Sequence, residues 1–331
     1  MLRTALCDLL GIAHPIIQAA IWPATSPQLV AAVSNAGALG SLGAVFEPAA
    51  RLREQIARVR ALTDRPFAVN HVVPLLDEAA FAATLEARPA VISFALGEPG
   101  DLVARAHDVG ARVVHQVHTV AQARQAAEQG VDALIAQGSE AGGQGLASGA
   151  STLVLVPHVV NALRDLRPLP VLAAGGIADG RGLAAALVLG AAGANVGTRF
   201  LATHEAGAAP AWKQAVLAAE PEAAVRFDVW REVMPASSAR AYDAVPRVLR
   251  TPFVEAWWQR PEAAQREAPR LRDELLAALR EGRVHELVPF AGQTVGLIHE
   301  LRSAGDLVQA IVAEAEQALY GASAVRAAAP A

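Results

Sequence analysis

The sequence predicts an α/β fold, a closed (β/α)8 (TIM) barrel followed by a C-terminal helical cap or second domain. Three observations predict it. Over the first 200 residues, apolar runs of four to six residues alternate with Ala-, Arg- and Glu-rich amphipathic stretches of ten to fifteen. The runs are continuously apolar, as strands buried on both faces of a parallel sheet are, rather than alternating. Eight such units fit within those residues, which suits a closed barrel. A doubly wound open sheet is the alternative arrangement of the same units.

The elements follow in order. The N-terminal MLRTALCDLLG reads as a short helix ending at Gly11, and it lacks the layout of a secretory leader. Candidate strands lie at 15–19, 39–42, 67–72, 91–94, 113–117, 133–136, 171–174 and 194–196. Helices are expected near 26–37, 47–62, 77–87, 100–109, 119–129, 152–166 and 180–190. Thr25, Ser26 and Pro27 make a good helix start, with proline at a first-turn position. Gly110, Gly130 and Gly190 each close a helix just before the next strand. From about residue 205 strand signals disappear. Trp212, Trp230, Trp257 and Trp258 then lie in helical, Arg- and Glu-rich sequence. The expected division is a barrel over 1–205, a helical cap over 206–290, a segment returning to the barrel over 291–320, and a loose tail over 321–331.

Composition removes several function classes. With 53% hydrophobic residues among 331, the chain is too apolar for disorder, and a net charge of −4 gives no footprint for nucleic acid. The longest apolar run, 183–196, is Ala- and Gly-rich and too short to cross a membrane, so a cytoplasmic protein is expected. The single cysteine, Cys7, cannot form an internal disulfide. It precedes the first strand, and the single lysine, Lys213, lies beyond the barrel. Thiol and Schiff-base catalysis therefore have no residue at a strand end, and redox chemistry would have to come from a bound cofactor. The nine histidines show no metal spacing.

In such barrels function sits at the carboxyl ends of the strands. After the seventh run comes Ala-Ala-Gly175-Gly176-Ile-Ala-Asp-Gly, and after the eighth Asn195-Val196-Gly197-Thr198. Glycine lets backbone N–H groups approach a phosphate, and a helix N-terminus adds partial positive charge. These two turns therefore read as a phosphate site. A polar loop, Gly138-Ser139-Glu140-Ala141-Gly142-Gly143-Gln144-Gly145, follows the sixth run and could lie against a flat ligand. Ala19, Ala20 and Ile21 follow the first run and leave room for a planar ring. Asn70, His71, Gln116, His118 and Gln137 end further runs, where a cofactor ring would need hydrogen-bonding partners.

With HPIIQA at 14–19, AAVSNAGALGSLGA at 31–44, RPFAVN at 65–70, the GSEAGGQG loop, PVLAAGGIADGRGLAAALVLGA at 170–191 and NVGTRFLAT at 195–203, the chain resembles the nitronate monooxygenase (2-nitropropane dioxygenase-like) family of FMN-dependent barrels. That family also holds enoyl-ACP and quinone reductases. A short match, FAGQTVGLI at 290–298, suggests a return to the active site. The resemblance implies FMN held by the backbone of Ala19, Ala20 and Ile21, by Asn70, Gln137 and Gly142, and by Gly175, Gly176, Asn195, Val196, Gly197 and Thr198. It implies a small-molecule substrate with O2 or NAD(P)H, and a monomer or homodimer. The chain departs from the family at Gln144, where a nitronate monooxygenase usually carries its proposed histidine base. A carboxamide can orient a substrate but cannot take its proton. Gln144 and His118 are therefore the expected catalytic positions, with His71 and His299 as further substitutes for the missing imidazole. The leading expectation is oxidation of a small alkyl nitronate with O2. The alternative is an FMN-dependent NAD(P)H reductase.

Overall fold

The computed structural model describes residues 2–234 and 244–324. Its strands, in chain order, are β1 (Ile16–Gln18), β2 (Gly40–Gly43), β3 (Phe67–Val72), β4 (Val91–Ala95), β5 (Arg112–Val117), β6 (Ala133–Gln137), β7 (Gly143–Leu146), β8 (Val171–Ala174), β9 (Gly193–Val196), β10 (Ala224–Arg226) and β11 (Ala244–Leu249). Eight form one parallel sheet in the order β1-β9-β8-β6-β5-β4-β3-β2. A parallel bridge between Ile17 and Leu39 closes the seam. There Leu39 N donates to Ile16 O and Gln18 N to Leu39 O, each at 2.9 Å. The buried Gln18 side chain strengthens the seam by accepting Ser41 N at 3.0 Å. The closed barrel expected from the sequence is the one observed, and each expected strand has its counterpart.

The expected outer helices also form: Pro27–Asn35, Ala49–Leu62, Glu78–Ala87, Leu102–Asp108, Val120–Glu128, Thr152–Arg164 and Gly180–Val188. Their starts follow from capping: Ser26, Asp77, Thr119 and Asp179 each accept a backbone N–H from the first turn. The N-terminal helix, Ala5–Leu10, ends on Gly11 at φ 68°. Leu6, Cys7 and Leu10 pack against the inward-facing Ala68, Val91, Val114 and Leu172. That helix covers one end of the barrel interior, so Cys7 is a packing residue.

Beyond β9 the reading needs correction. The region from 206 to 290 is not purely helical, because β10 and β11 pair antiparallel and β11 pairs with β7. The glycine-rich 138–145 segment is therefore partly a strand, with Gln144 opposite Pro246. Its pairing partner lies about a hundred residues away, so no local periodicity marks it. Around this small sheet, Trp212, Phe227, Val248, Leu271 and Leu275 build a second core.

The chain then returns as the long helix Ala304–Ala324. It buries Leu307, Val308, Ile311 and Ala315 in the main core beside Leu183 and Leu29. Gly180 permits its close approach, since a Cβ there would lie 2.3 Å from Ala315 N. After β9 only the short helix Thr198–Leu201 forms. The C-terminal helix thus occupies the outer-ring place of the eighth unit, and the second core is inserted within that unit. Residues 325–331 of the expected tail lie outside the described residues. Among the described residues no helix is long and apolar enough to cross a membrane.

Candidate active site

The carboxyl ends of the barrel strands surround a cavity of about 610 Å3. Cofactor and small-molecule clefts commonly span about 300–1,000 Å3. At β1, Ala19 N donates to Val196 O at 2.9 Å, and Ile21 N donates to Thr25 Oγ1 at 2.8 Å. The intervening backbone forms a ledge of small side chains along the cavity wall.

On β3 and β4, Asn70 and Ser93 are register partners, and Asn70 Nδ2 donates to Ser93 Oγ at 2.9 Å. That bond leaves the Asn70 Oδ1 acceptor for a ligand. At the end of β6, Gln137 Nε2 donates to the carbonyl of Gln144 at 2.7 Å. The turn between them is clamped from outside. Ser139 O accepts Arg226 Nη2 at 3.0 Å and Arg247 Nη2 at 2.8 Å. Burial, with Arg247 beside it, lowers the Arg226 pKa to about 10. Glu140 accepts Thr152 N at 2.9 Å and Thr152 Oγ1 at 3.0 Å, so its carboxylate caps the helix Thr152–Arg164.

The return of the 290–298 segment is realised. Gly292 N donates to Thr198 Oγ1 at 2.9 Å, and Gln293 N to Glu140 O at 3.0 Å. Gly142 must be glycine here, since a Cβ would lie 2.5 Å from Ala291 C and Gly292 N. At the end of β8, Gly175 and Gly176 take φ of 97° and 75°, a left-handed turn that favours glycine.

One expectation about that turn fails. The N-terminus of the helix Gly180–Val188 is already occupied by carboxylates, with Asp179 accepting Gly182 N and Glu314 accepting Gly180 N, each at 3.0 Å. Its partial positive charge is therefore spent on Asp179 and Glu314. An anion beside Gly175 and Gly176 would meet the N–H groups of the turn instead.

Ala19, Ala20, Ile21, Asn70, Gln137, Gly142, Gln144, Gly175, Gly176, Asn195, Gly197 and Thr198 all line the cavity. Val196 does not: its side chain packs in the main core and only its carbonyl reaches Ala19. His118 is also misplaced by the sequence reading. β5 ends at Val117, and the backbone then turns so that His118 N donates to Gln122 Oε1 at 2.8 Å. The ring is buried away from the cavity, and burial, with Arg226 nearby, pushes its pKa down to about 4. Gln116 faces the cavity in its place. His71 is buried against Thr84 Oγ1 at 3.0 Å, and His299 is exposed outside the lining. Among the described residues the cavity is lined by no histidine, and its charged residues are Glu140 and Arg231.

Some lining residues escaped the sequence reading. Ser93 was legible in principle, as a lone polar residue inside an apolar run. Trp230, Leu276, Leu279 and Phe290 come from the inserted region and carry no local signal that they face the barrel.

Comparison with known proteins agrees with this architecture. The chain is 33% identical to the (3aS,4S,5R,7aS)-5-hydroxy-7a-methyl-1-oxo-octahydro-1H-indene-4-carboxyl-CoA dehydrogenase of Rhodococcus jostii, covering 98% of this chain and 99% of that one. It is 36% identical to a nitronate monooxygenase of Paraburkholderia phytofirmans over 65% of this chain and 70% of the relative. The structure of FabK from Thermotoga maritima superposes with a TM-score of 0.84 at 32% identity, covering 98% of this chain and all of the other. The family model described as nitronate monooxygenase matches residues 3–314. With the barrel, the cavity and these likenesses in agreement over nearly the whole length, the chain belongs to the nitronate monooxygenase family of oxidoreductases.

Proposed function

We propose that this protein is an FMN-dependent NAD(P)H oxidoreductase acting on an acyl thioester, of the enoyl reductase type. The observation that carries the reading is the cavity lining, where Gln144 stands and no described histidine does. A neutral nitroalkane must lose a carbon-bound proton before oxidation, and that step wants a base titrating near neutral pH. Glu140 is held as a helix cap, and Gln144 has no proton to take or give. Reduction of an α,β-unsaturated thioester by NAD(P)H makes no such demand. Of the relatives that span nearly all of this chain, one is named as a carboxyl-CoA dehydrogenase and one as FabK, which supports this reading, while another, a nitroalkane oxidase from Streptomyces ansochromogenes, supports the second reading below.

The residues present fit FMN. The small side chains of Ala19 and Ala20, the amide of Asn70 and the left-handed Gly175-Gly176 turn line one cavity of about 610 Å3, which offers a flat ring a ledge, a hydrogen-bonding edge and backbone N–H groups. When bound, FMN would supply the hydride-transfer chemistry between nicotinamide and substrate. Asn70 and Gln137 would hold the ring edge or the ribityl chain. The N–H groups at Gly175, Gly176, Gly197 and Thr198 would hold the phosphate. Gln144 would orient the substrate carbonyl by donating its amide hydrogen bond, and the inserted region would exclude water.

A second reading is oxidation of an alkyl nitronate with O2. The family match favours it, and the nitronate anion arrives already deprotonated. Anaerobic reduction of the FMN-loaded protein separates the two. Rapid bleaching by NADH or NADPH, reversed by an enoyl-CoA, is the expected result. Bleaching by a nitronate and by neither nicotinamide would overturn the proposal.

A further inference from the structure

The mouth of the barrel is divided by chemistry. In the circular strand order, β2, β3 and β4 lie diametrically opposite β6, β8 and β9. The latter three carry the glycine-rich turns, together with Gln137, Asn195 and Thr198. The loops after β2, β3 and β4 instead bring Phe46, Leu75 and Leu96 to the same cavity.

Two of these three sit in unusual backbone. Phe46 has φ 57° and Leu96 φ 61°, in the left-handed region that bulky apolar residues rarely adopt. Such strain persists where the surroundings impose it, and it clusters at functional sites. For Phe46 the surroundings are visible. Trp22 meets its ring edge-on at 5.3 Å, and the next residue, Glu47, is anchored by Trp22 Nε1 at 3.3 Å and by Arg51 at 3.0 Å. Despite this bracing, the Phe46 side chain is 54% exposed and Leu75 43%. Their apolar surface faces the opening of the cavity rather than a core.

We propose that Phe46, Leu75 and Leu96 form an apolar lip that selects thioesters by the length of the acyl chain, with Phe46 as the main specificity-determining residue. The inference rests on the acyl thioester reading above. A chain extending from the flavin half of the cavity would cover these side chains and leave its thioester carbonyl beside Gln144.

Isothermal titration of the FMN-loaded protein with butanoyl-CoA and octanoyl-CoA tests this. Each buried methylene strengthens binding about fourfold, so octanoyl-CoA should bind on the order of a hundredfold more tightly. In Phe46→Ala the preference for the longer chain should fall about tenfold, and in Phe46→Leu by less. A preference unchanged in both variants, or equal weakening of both ligands, would overturn the lip. Because Phe46 is half exposed, both variants should fold, and retained FMN binding verifies it. Octanoic acid and butanoic acid, titrated in parallel, separate the two proposals. If the free acids bind with the same length dependence while neither CoA ester binds, the lip stands and the thioester reading fails. If both CoA esters bind equally well in the wild type, the thioester reading stands and the lip fails.

Discussion

Gln137 Nε2 donates to the backbone carbonyl of Gln144 at 2.7 Å, so the end of β6 holds β7 by its main chain and not by the Gln144 side chain. Residue 144 can therefore be changed without breaking the bond that positions it.

Gln144→His should install a base facing the cavity. Neutral nitroalkane turnover should rise on the order of a hundredfold, the range over which general base catalysis acts. FMN affinity should stay within about twofold, because the Gln137 bond survives. Steady-state oxygen uptake with a nitroalkane reads the first, and fluorescence titration with FMN the second. Absence of any gain would show that residue 144 does not reach the reacting carbon.

Gly142 and Gly143 are adjacent, yet alanine should affect them differently. At Gly142 a Cβ meets backbone at 2.5 Å, from a segment pinned by Thr198, so the loop or the 290–298 segment must move. At Gly143 there is open space and a φ of 69°. Gly143→Ala should cost only backbone strain, roughly 1–2 kcal/mol. Gly142→Ala should cost about 3 kcal/mol or more, as overpacking against immobile atoms does, and should weaken FMN binding. Chemical denaturation of the two variants checks the order; equal losses would refute the close packing.

Acid should destabilise this protein through three buried imidazoles. Burial lowers His71, His115 and His118 to pKa values of about 4, against about 6.5 in an unfolded chain. Between those values the unfolded chain binds protons that the folded one refuses. The stabilisation is therefore complete above pH 6.5 and declines as pH falls toward 4, by about 1.4 kcal/mol per unit for each histidine. Urea denaturation across that window should show the slope, and His71→Gln should remove one histidine's share. Burial is the larger cause at His118, with Arg226 adding to it, so Arg226→Leu should raise its pKa in an NMR titration. A slope unchanged by His71→Gln would mean that residue 71 titrates alike in both states.

Much of the barrel was legible because strands buried on both faces leave unbroken apolar runs, and Gly110, Gly130 and Gly190 mark three of the helix ends. The cavity-lining turns were legible because glycine has few other reasons to recur at adjacent strand ends. What escaped depends on partners distant in sequence. Gly-Gln-Gly-Leu in β7 has no β-branched residue and is a strand only because β11 pairs with it. His118 looked like a strand-end residue, but its position was decided one residue earlier, where β5 stops. Phe46 and Leu96 gave no signal at all, since nothing in the sequence betrays a left-handed φ at a bulky residue.

The placement of the helix Ala304–Ala324 bears on how the protein comes into being. Its apolar face completes the packing around Leu183, and Gly180 is shaped to receive it. A ribosome that has released only the first 205 residues has made every barrel strand yet lacks one stave of the outer ring. That nascent barrel exposes a greasy strip until residues 304–324 emerge. The inserted region, the cavity it covers and the barrel beneath therefore reach their final form together, once that helix docks.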